Sequence, residues 1–400
     1  MKKLVLPNGL KVLFLKRPSS TVTIEMNVNT GSNNETSDVA GISHFLEHMI
    51  FEGTKKRTSK QISEAIENVG GELNAATTNE RTFFYIKVPN DKVSLALDIL
   101  SDMLKNASFK QKILEKERHV VLEEIKMVND QPLLYQWVLF EKNIFKIYPT
   151  RNPVYGNVKS VSSITREKML RYYHDWYVPN NMILSVVGDA DGLLPLIRKH
   201  FGDMQQDKVP VLKSLVEPVE TRPTIVKEKK DTNQAYLVLG NKTVPRLHKD
   251  SYALDVIASV FAKGISGRIT EEIRLKRGLA YSVGAIHESR KGYGFFVFYL
   301  NCDIKNLALC KKIVLAEVKK LNNLGAKELN DAKDHLIGRD ILDTEDSQKR
   351  ADDLAFWESI SDASLADMYT KKIKNVTKKD IIRVRDKFLN SNYTMIVISK

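Results

Sequence analysis

From Val39 to Phe51, apolar residues return at every third or fourth position: Val39, Ile42, Phe45, Leu46, Met49 and Ile50. That period predicts an amphipathic helix with one buried stripe, and Ser37 or Asp38 stands where a capping side chain is expected. A second helical period covers Phe109–Asp130, its stripe traced by Ile113, Val121, Ile125 and Val128. The N-terminus reads differently. The runs Leu4–Leu6 and Leu10–Leu15 flank Asn8-Gly9, which predicts a β-hairpin. The break at Pro7-Asn8-Gly9, with no small-residue cleavage site after it, argues against a signal peptide, so the fold is expected to begin at residue 1.

A longer period organises the whole chain. At an offset of 212 residues, Phe83-Phe84 falls on Phe295-Phe296, Asp91 on Asp303 and Leu95-Ala96-Leu97 on Leu307-Ala308-Leu309. Further on, Thr165 meets Thr377, Arg171 meets Arg383, Trp176 meets Phe388 and Asn180 meets Asn392. One long offset argues for two copies of a domain and against a short-period solenoid. The expected fold class is α+β: two homologous α/β sandwich domains, each a mostly antiparallel sheet with helices on one face. Pro210, Pro218 and Pro223 punctuate a polar stretch. The expected division is therefore a first domain at 1–208, a linker at 209–223 and a second domain at 224–400.

Composition narrows the function classes. With 400 residues, 42% hydrophobic and 28% charged, the chain is too apolar to be a disordered tract. Cys302 and Cys310 build no disulfide framework and no CxxC site, which fits a reducing compartment, and a cytoplasmic location is expected. No apolar run approaches the roughly 18–20 residues that span a bilayer, so no membrane partner is expected. The 62 Lys+Arg against 49 Asp+Glu give a formal charge of +13. Along the sequence these cations are spread out, Lys227–Lys230 being the nearest thing to a cluster, and no nucleic-acid-binding motif accompanies them. A solvated basic surface is expected, with no nucleic-acid partner. A basic nucleic-acid-binding protein is the remote alternative.

The candidate chemistry sits on the first helix. His44, Glu47, His48 and Phe51 stand at i, i+3, i+4 and i+7, on a different face from the apolar stripe. Two imidazoles one turn apart can grip one metal ion, with a carboxylate beside them to handle water. This is H-x-x-E-H, the inverse of the H-E-x-x-H metalloprotease motif. The alternative is a surface pair of histidines beside Glu47. On the second helix, Glu117 and Glu124 share the buried stripe, whereas Glu115, Glu123, Arg118 and Lys126 point elsewhere. Inward carboxylates are costly unless they meet a cation or a metal. An inward salt bridge is the competing account.

His44-Phe45-Leu46-Glu47-His48, with Glu124 76 residues after His48 and Glu117 seven before that, resembles the pitrilysin and insulin-degrading enzyme family of zinc metallopeptidases. That family includes the mitochondrial processing peptidase and short prokaryotic relatives. The likeness continues through Gly70–Ala75, Glu80-Arg81-Thr82 and Arg274–Tyr281, so it spans nearly the whole chain. The resemblance implies a zinc-dependent endopeptidase holding one zinc per chain on His44, His48 and Glu124. Glu47 is then the general base and Glu117 the carboxylate that supports the site. His119 lies off this face and reads as a surface residue. Asn74 and Ala75 correspond to an edge strand to which an extended peptide adds, and Phe51 to a residue lining the pocket past the scissile bond. Arg274 and Tyr281 correspond to a pair that contacts substrate or the developing oxyanion. Taken alone, Arg274 pairing with Glu271 and Tyr281 as a strand aromatic are the bland readings.

At the 212 offset, His44, Glu47 and His48 fall on Val256, Ser259 and Val260, so the second half reads as a non-catalytic copy. In long relatives four such domains close a chamber. By resemblance, a homodimer completes one here, Arg274 and Tyr281 serving the partner's zinc, and a heterodimer with an inactive subunit is the other possibility. A catalytically silent scaffold is the functional alternative, and the intact His44, Glu47, His48 and Glu124 argue against it. Two stretches depart from the family pattern: Ala262–Gly267 lacks a dense glycine run, and Leu134 and Val138 stand where processing peptidases carry acidic residues. General peptide degradation is therefore expected over presequence processing.

Overall fold

The computed structural model describes residues 1–211 and 215–400; the linker expected at 209–223 includes residues 212–214, which lie outside the described residues. The first half runs β1 (Lys2–Val5), β2 (Lys11–Lys16), β3 (Thr21–Val28), α1 (Ile42–Phe51), α2 (Ser59–Glu67), β4 (Glu72–Thr77) and β5 (Thr82–Pro89). It continues with α3 (Val93–Asn106), α4 (Gln111–Asp130), α5 (Pro132–Ile144), α6 (Val158–Ser163), α7 (Arg166–Trp176), β6 (Met182–Gly188) and α8 (Leu193–Phe201). The second half repeats most of this order. It has β7 (Thr224–Lys229), β8 (Ala235–Lys242), α9 (Ser251–Ala262), β9 (Ala280–Ser289), β10 (Gly294–Cys302) and α10 (Leu307–Lys319). Then come α11 (Ala326–Glu345), α12 (Ser347–Ile360), α13 (Tyr369–Lys374), α14 (Lys378–Phe388) and β11 (Thr394–Ser399).

The repeat is structural. α7 and α14 lie 212 residues apart, and each is capped by the matching threonine, Thr165 or Thr377, whose hydroxyl accepts an N–H of the first turn. Each half builds one sheet, in the order β1-β2-β6-β3-β5-β4 and β7-β11-β8-β10-β9. Among the described residues, only β2–β6 and β7–β11 pair parallel. The expected hairpin forms between β1 and β2, with Gly9 at φ +85° in the turn.

The compact units depart from a linear division. One comprises Met1–Lys126, Asn152–Leu215 and Asp343–Ala366, the other Met127–Arg151, Val216–Leu342 and Asp367–Lys400. Equivalent helices, α5 and α12, have thus changed units. Helices were expected on one face only, but these two cover the second face of each sheet. In the second unit, Leu139, Phe140 and Ile144 of α5 pack with Val238, Val297 and Ile396. In the first, alternation along β3 sends Val22, Ile24 and Met26 to the core with Phe45 and Leu46. The intervening Thr23, Glu25 and Asn27 are equally buried, on the α12 side, where Thr23 bonds Ser347 at 2.8 Å. Arg81 reaches Asp352 at 2.6 Å and Lys87 reaches Asp346 at 2.9 Å. A polar strand face is thereby covered by α12 and its capping residue Asp346.

The exchange of α5 leaves a pH signature. Burial, then the nearby Glu288, push the Glu141 carboxyl up to about 8, against the pull of Arg290. The folded group keeps its proton to about pH 8, whereas the ordinary group ionises near 4.5. Its penalty is therefore absent below pH 4.5, grows as pH rises and is complete above about pH 8. Glu141→Gln is expected to raise the melting temperature at pH 8 and to leave it unchanged at pH 4.5. A thermal melt showing equal shifts at both pH values contradicts this account.

Candidate metal centre

α1 starts at Gly41, whose φ of +93° only glycine adopts without strain; a Cβ there would lie 2.6 Å from the Tyr155 carbonyl oxygen. Its cap is neither Ser37 nor Asp38, which belong to a separate 3₁₀ turn. Instead the Glu35 carboxylate accepts N–H bonds from Gly41 at 2.7 Å and Ser43 at 2.8 Å, meeting the positive end of the helix. Burial pushes the Glu35 carboxyl up to about 7, opposed by those N–H groups. Ile42, Phe45, Leu46, Met49 and Ile50 form the buried stripe, while Val39 falls outside the helix. This anchoring presents His44, Glu47 and His48 on the remaining face.

α4 meets that face. Leu114, Glu117, Val121 and Ile125 are its buried residues, so the expected phase holds for Glu117. Glu123 faces outward and pairs with Lys126 at 2.7 Å, and His119 is exposed. Arg118 differs from expectation. It is nearly buried, donates to the Val161 and Ile164 carbonyls and lies 5.5 Å from the Phe45 ring.

The helices bring three donors together. Glu124 Oε2 lies 3.7 Å from His44 Nε2 and 3.7 Å from His48 Nε2. One ligand atom from each of the three side chains lies within 4.8 Å of the others, and among the described residues no further group of this kind occurs. Tetrahedral ligation at about 2.0–2.1 Å sets donors roughly 3.3 Å apart, so small side-chain adjustments suffice. Burial, then the neighbouring His48, hold the His44 imidazole down to about 4, hence neutral and able to donate a lone pair at pH 7. Two imidazoles and one carboxylate suit zinc, and also manganese or cobalt. His48 Nδ1 lies 3.4 Å from Glu117 Oε2, the outer contact that orients a ligating histidine. Lys116 also reaches Glu117, at 3.2 Å.

Glu47 stands between these ligands and the sheet. Burial pushes its carboxyl up, against the hydrogen bond from Thr77. Thr77 Oγ1 donates to Glu47 Oε2 at 2.5 Å. Thr77 was not singled out from the sequence, although alternation along β4 puts it on the face of Leu73 and Ala75. Thr77→Val is expected to lower kcat about tenfold, the size of a hydrogen bond to a charged group, with KM unchanged. Thr77→Ser should restore it, and equal losses in both variants contradict the role.

The other expected residues divide by unit. β4 is an edge strand of its sheet and carries Asn74, exposed, and Ala75. Asn74 Oδ1 accepts the Ala75 N–H at 2.8 Å. Phe51, at the end of α1, is partly buried with its ring 6.2 Å from that of Phe84. In the second unit Arg274 sits in a π-helical turn, Thr270–Leu275, of a kind found at functional sites. Its guanidinium lies 4.6 Å from the centre of the Tyr281 ring, and Tyr281 is 78% exposed. Glu271 pairs with Lys276 at 2.9 Å and not with Arg274. On α9, Val256, Ser259 and Val260 are core residues.

Residues 11–157 match the family profile of insulinase, peptidase family M16, and residues 163–336 match that of the peptidase M16 inactive domain. The chain is 32% identical to the uncharacterized zinc protease YmxG of Bacillus subtilis, over 88% of this chain and 86% of that one. It is also 32% identical to an uncharacterized zinc protease of Rickettsia felis, over 98% and 96%. Its fold is that of a protease from Helicobacter pylori, with a TM-score of 0.95 at 24% identity over 100% and 99% of the two chains. A peptidase M16 inactive domain from Pseudomonas fluorescens superposes with a TM-score of 0.90 at 18% identity, over 100% and 97%. No described helix is long and apolar enough to cross a membrane. The chain belongs to peptidase family M16, the insulinase family.

Proposed function

We propose that the protein is a zinc-dependent endopeptidase that hydrolyses short or unfolded peptides. The observation that carries this reading is the convergence of His44, His48 and Glu124, with Glu47 one residue from a ligand and half-buried. Bound zinc supplies Lewis-acid chemistry, polarising a carbonyl and lowering the pKa of a water to about 7. Glu47 takes the proton of the attacking water and passes it to the leaving amine. Thr77 holds that carboxylate in place, and Glu117 holds the His48 ring. The β4 edge around Asn74 and Ala75 offers backbone N–H and C=O groups, to which an extended peptide adds as another strand. Such main-chain recognition tolerates many sequences and excludes folded proteins. Phe51 contributes an apolar wall for the residue after the scissile bond.

Arg274 and Tyr281 complete the site by steadying the oxyanion, supplied in trans by a second copy in a homodimer. The two free, buried cysteines suit a reducing, cytoplasmic setting. A quenched-fluorescent peptide library tests the activity: cleavage that a chelator abolishes is expected, and a metal-loaded protein that cleaves nothing contradicts it in favour of a silent subunit. For the shared site, Glu47→Gln protein is mixed with Arg274→Ala/Tyr281→Phe protein, each nearly inactive alone. Activity returns if the pair acts in trans; subunit exchange without activity rules that arrangement out.

A further inference from the structure

The positive charge, spread along the sequence, is segregated by the fold. The first unit carries 28 Lys+Arg against 29 Asp+Glu, whereas the second carries 34 against 20. The second unit therefore carries +14 and the first −1, which together make the net +13. Within it the excess is steepest on α13 and α14. Residues 369–388 hold eight Lys+Arg and two Asp. Lys371, Lys372, Lys374, Lys378 and Lys379 are exposed, and among the described residues none of them meets a carboxylate. Lys374, Lys378 and Lys379 crowd the N-terminus of the 11-residue α14, where the helix dipole adds positive potential. Asp380 stands in that first turn, but its carboxylate is engaged by Thr377 and Arg383. Beside it, Lys249, Lys372 and Arg383 line an open recess of about 240 Å³ that also holds Tyr252 and Asp380. Arg383 is already paired, with Asp250 at 2.7 Å and Asp380 at 3.3 Å, so the unpaired lysines carry the field.

We propose that this face of the second unit docks the phosphodiester backbone of a nucleic acid. Lysines that lack acidic partners suit phosphates as point charges, and the recess lets a phosphate sit below the rim with Tyr252 available to a base. An anionic bilayer fits less well. No large apolar side chain of α13 or α14 is exposed to enter it, and a planar headgroup layer does not reach into a recess. The expectation of no nucleic-acid partner rested on the spread of Lys and Arg along the sequence and on the lack of a binding motif; between the units, basic and acidic residues are both unevenly shared, in opposite directions.

The test is fluorescence anisotropy of the full chain with labelled oligouridine and oligodeoxythymidine at salt concentrations from 50 to 200 mM, the two arms separating RNA from DNA. About four phosphate contacts give a slope near −3 in log affinity against log salt, a loss of about 50-fold over that range. In Lys372→Gln/Lys378→Gln/Lys379→Gln protein the slope is expected to fall to about −1 while peptide hydrolysis is unchanged. Failure to bind either oligonucleotide, an unchanged slope in the variant, or capture by phosphatidylglycerol vesicles without oligonucleotide binding overturns the proposal. These readouts do not depend on hydrolysis, so they stand or fall apart from the peptidase reading.

Discussion

Glu47→Gln protein is expected to keep its metal and lose hydrolysis by a factor of about 10²–10⁴, the usual contribution of a positioned general base. The amide preserves the size of the side chain and can still face Thr77 Oγ1, so the 2.5 Å contact to β4 need not open. What disappears is the proton acceptor. Because Glu47 is not among the three converging donors, metal content should match wild type. Binding of an uncleaved peptide should also persist, since β4 recognises backbone and is untouched. Loss of metal or of fold in this variant, seen by elemental analysis and circular dichroism, would assign Glu47 a ligating or structural role.

The opposite pattern is expected for the donors. His48→Ala or Glu124→Ala removes one of the three converging donors, and metal affinity is expected to fall by more than the 10–100-fold typical of losing an outer hydrogen-bond partner. Glu117→Gln, which alters the contact to His48 Nδ1 and the pairing with Lys116 but removes no converging donor, should fall within that 10–100-fold range. The fold should survive each change, because the stripe of Phe45, Leu46, Met49 and Ile50 carries the packing of α1. Titration with a competing chelator measures the order. Equal affinities in Glu117→Gln and Glu124→Ala would mean that Glu124 is not a ligand.

Much of the candidate site was legible in sequence because helix period converts spacing into direction. His44 and His48 must share a face, and the phase of α4 separates Glu124 from Glu123, which indeed pairs outward with Lys126. The repeat was legible for a similar reason, since the capped helices α7 and α14 keep one offset. Three features were not. Glu35 caps α1 from outside the first turn's sequence neighbourhood, by way of a fold-back that no local rule encodes. The exchange of α5 and α12 is invisible because both helices keep the same order in each half and only their packing partners differ. For that reason nothing local marks Thr23, Glu25 and Asn27 as buried. Burial and the raised carboxyl of Glu25, caused first by desolvation and then by Asp352, show the face covered. Charge segregation escaped likewise, because it depends on which unit each segment joins.

The most direct test of the account is metal content measured alongside peptide hydrolysis in one preparation taken through chelation and zinc restoration. The account predicts one zinc per chain, hydrolysis that falls away as the metal is removed, and recovery in proportion to the zinc returned. Hydrolysis that continues undiminished in metal-free protein would contradict it.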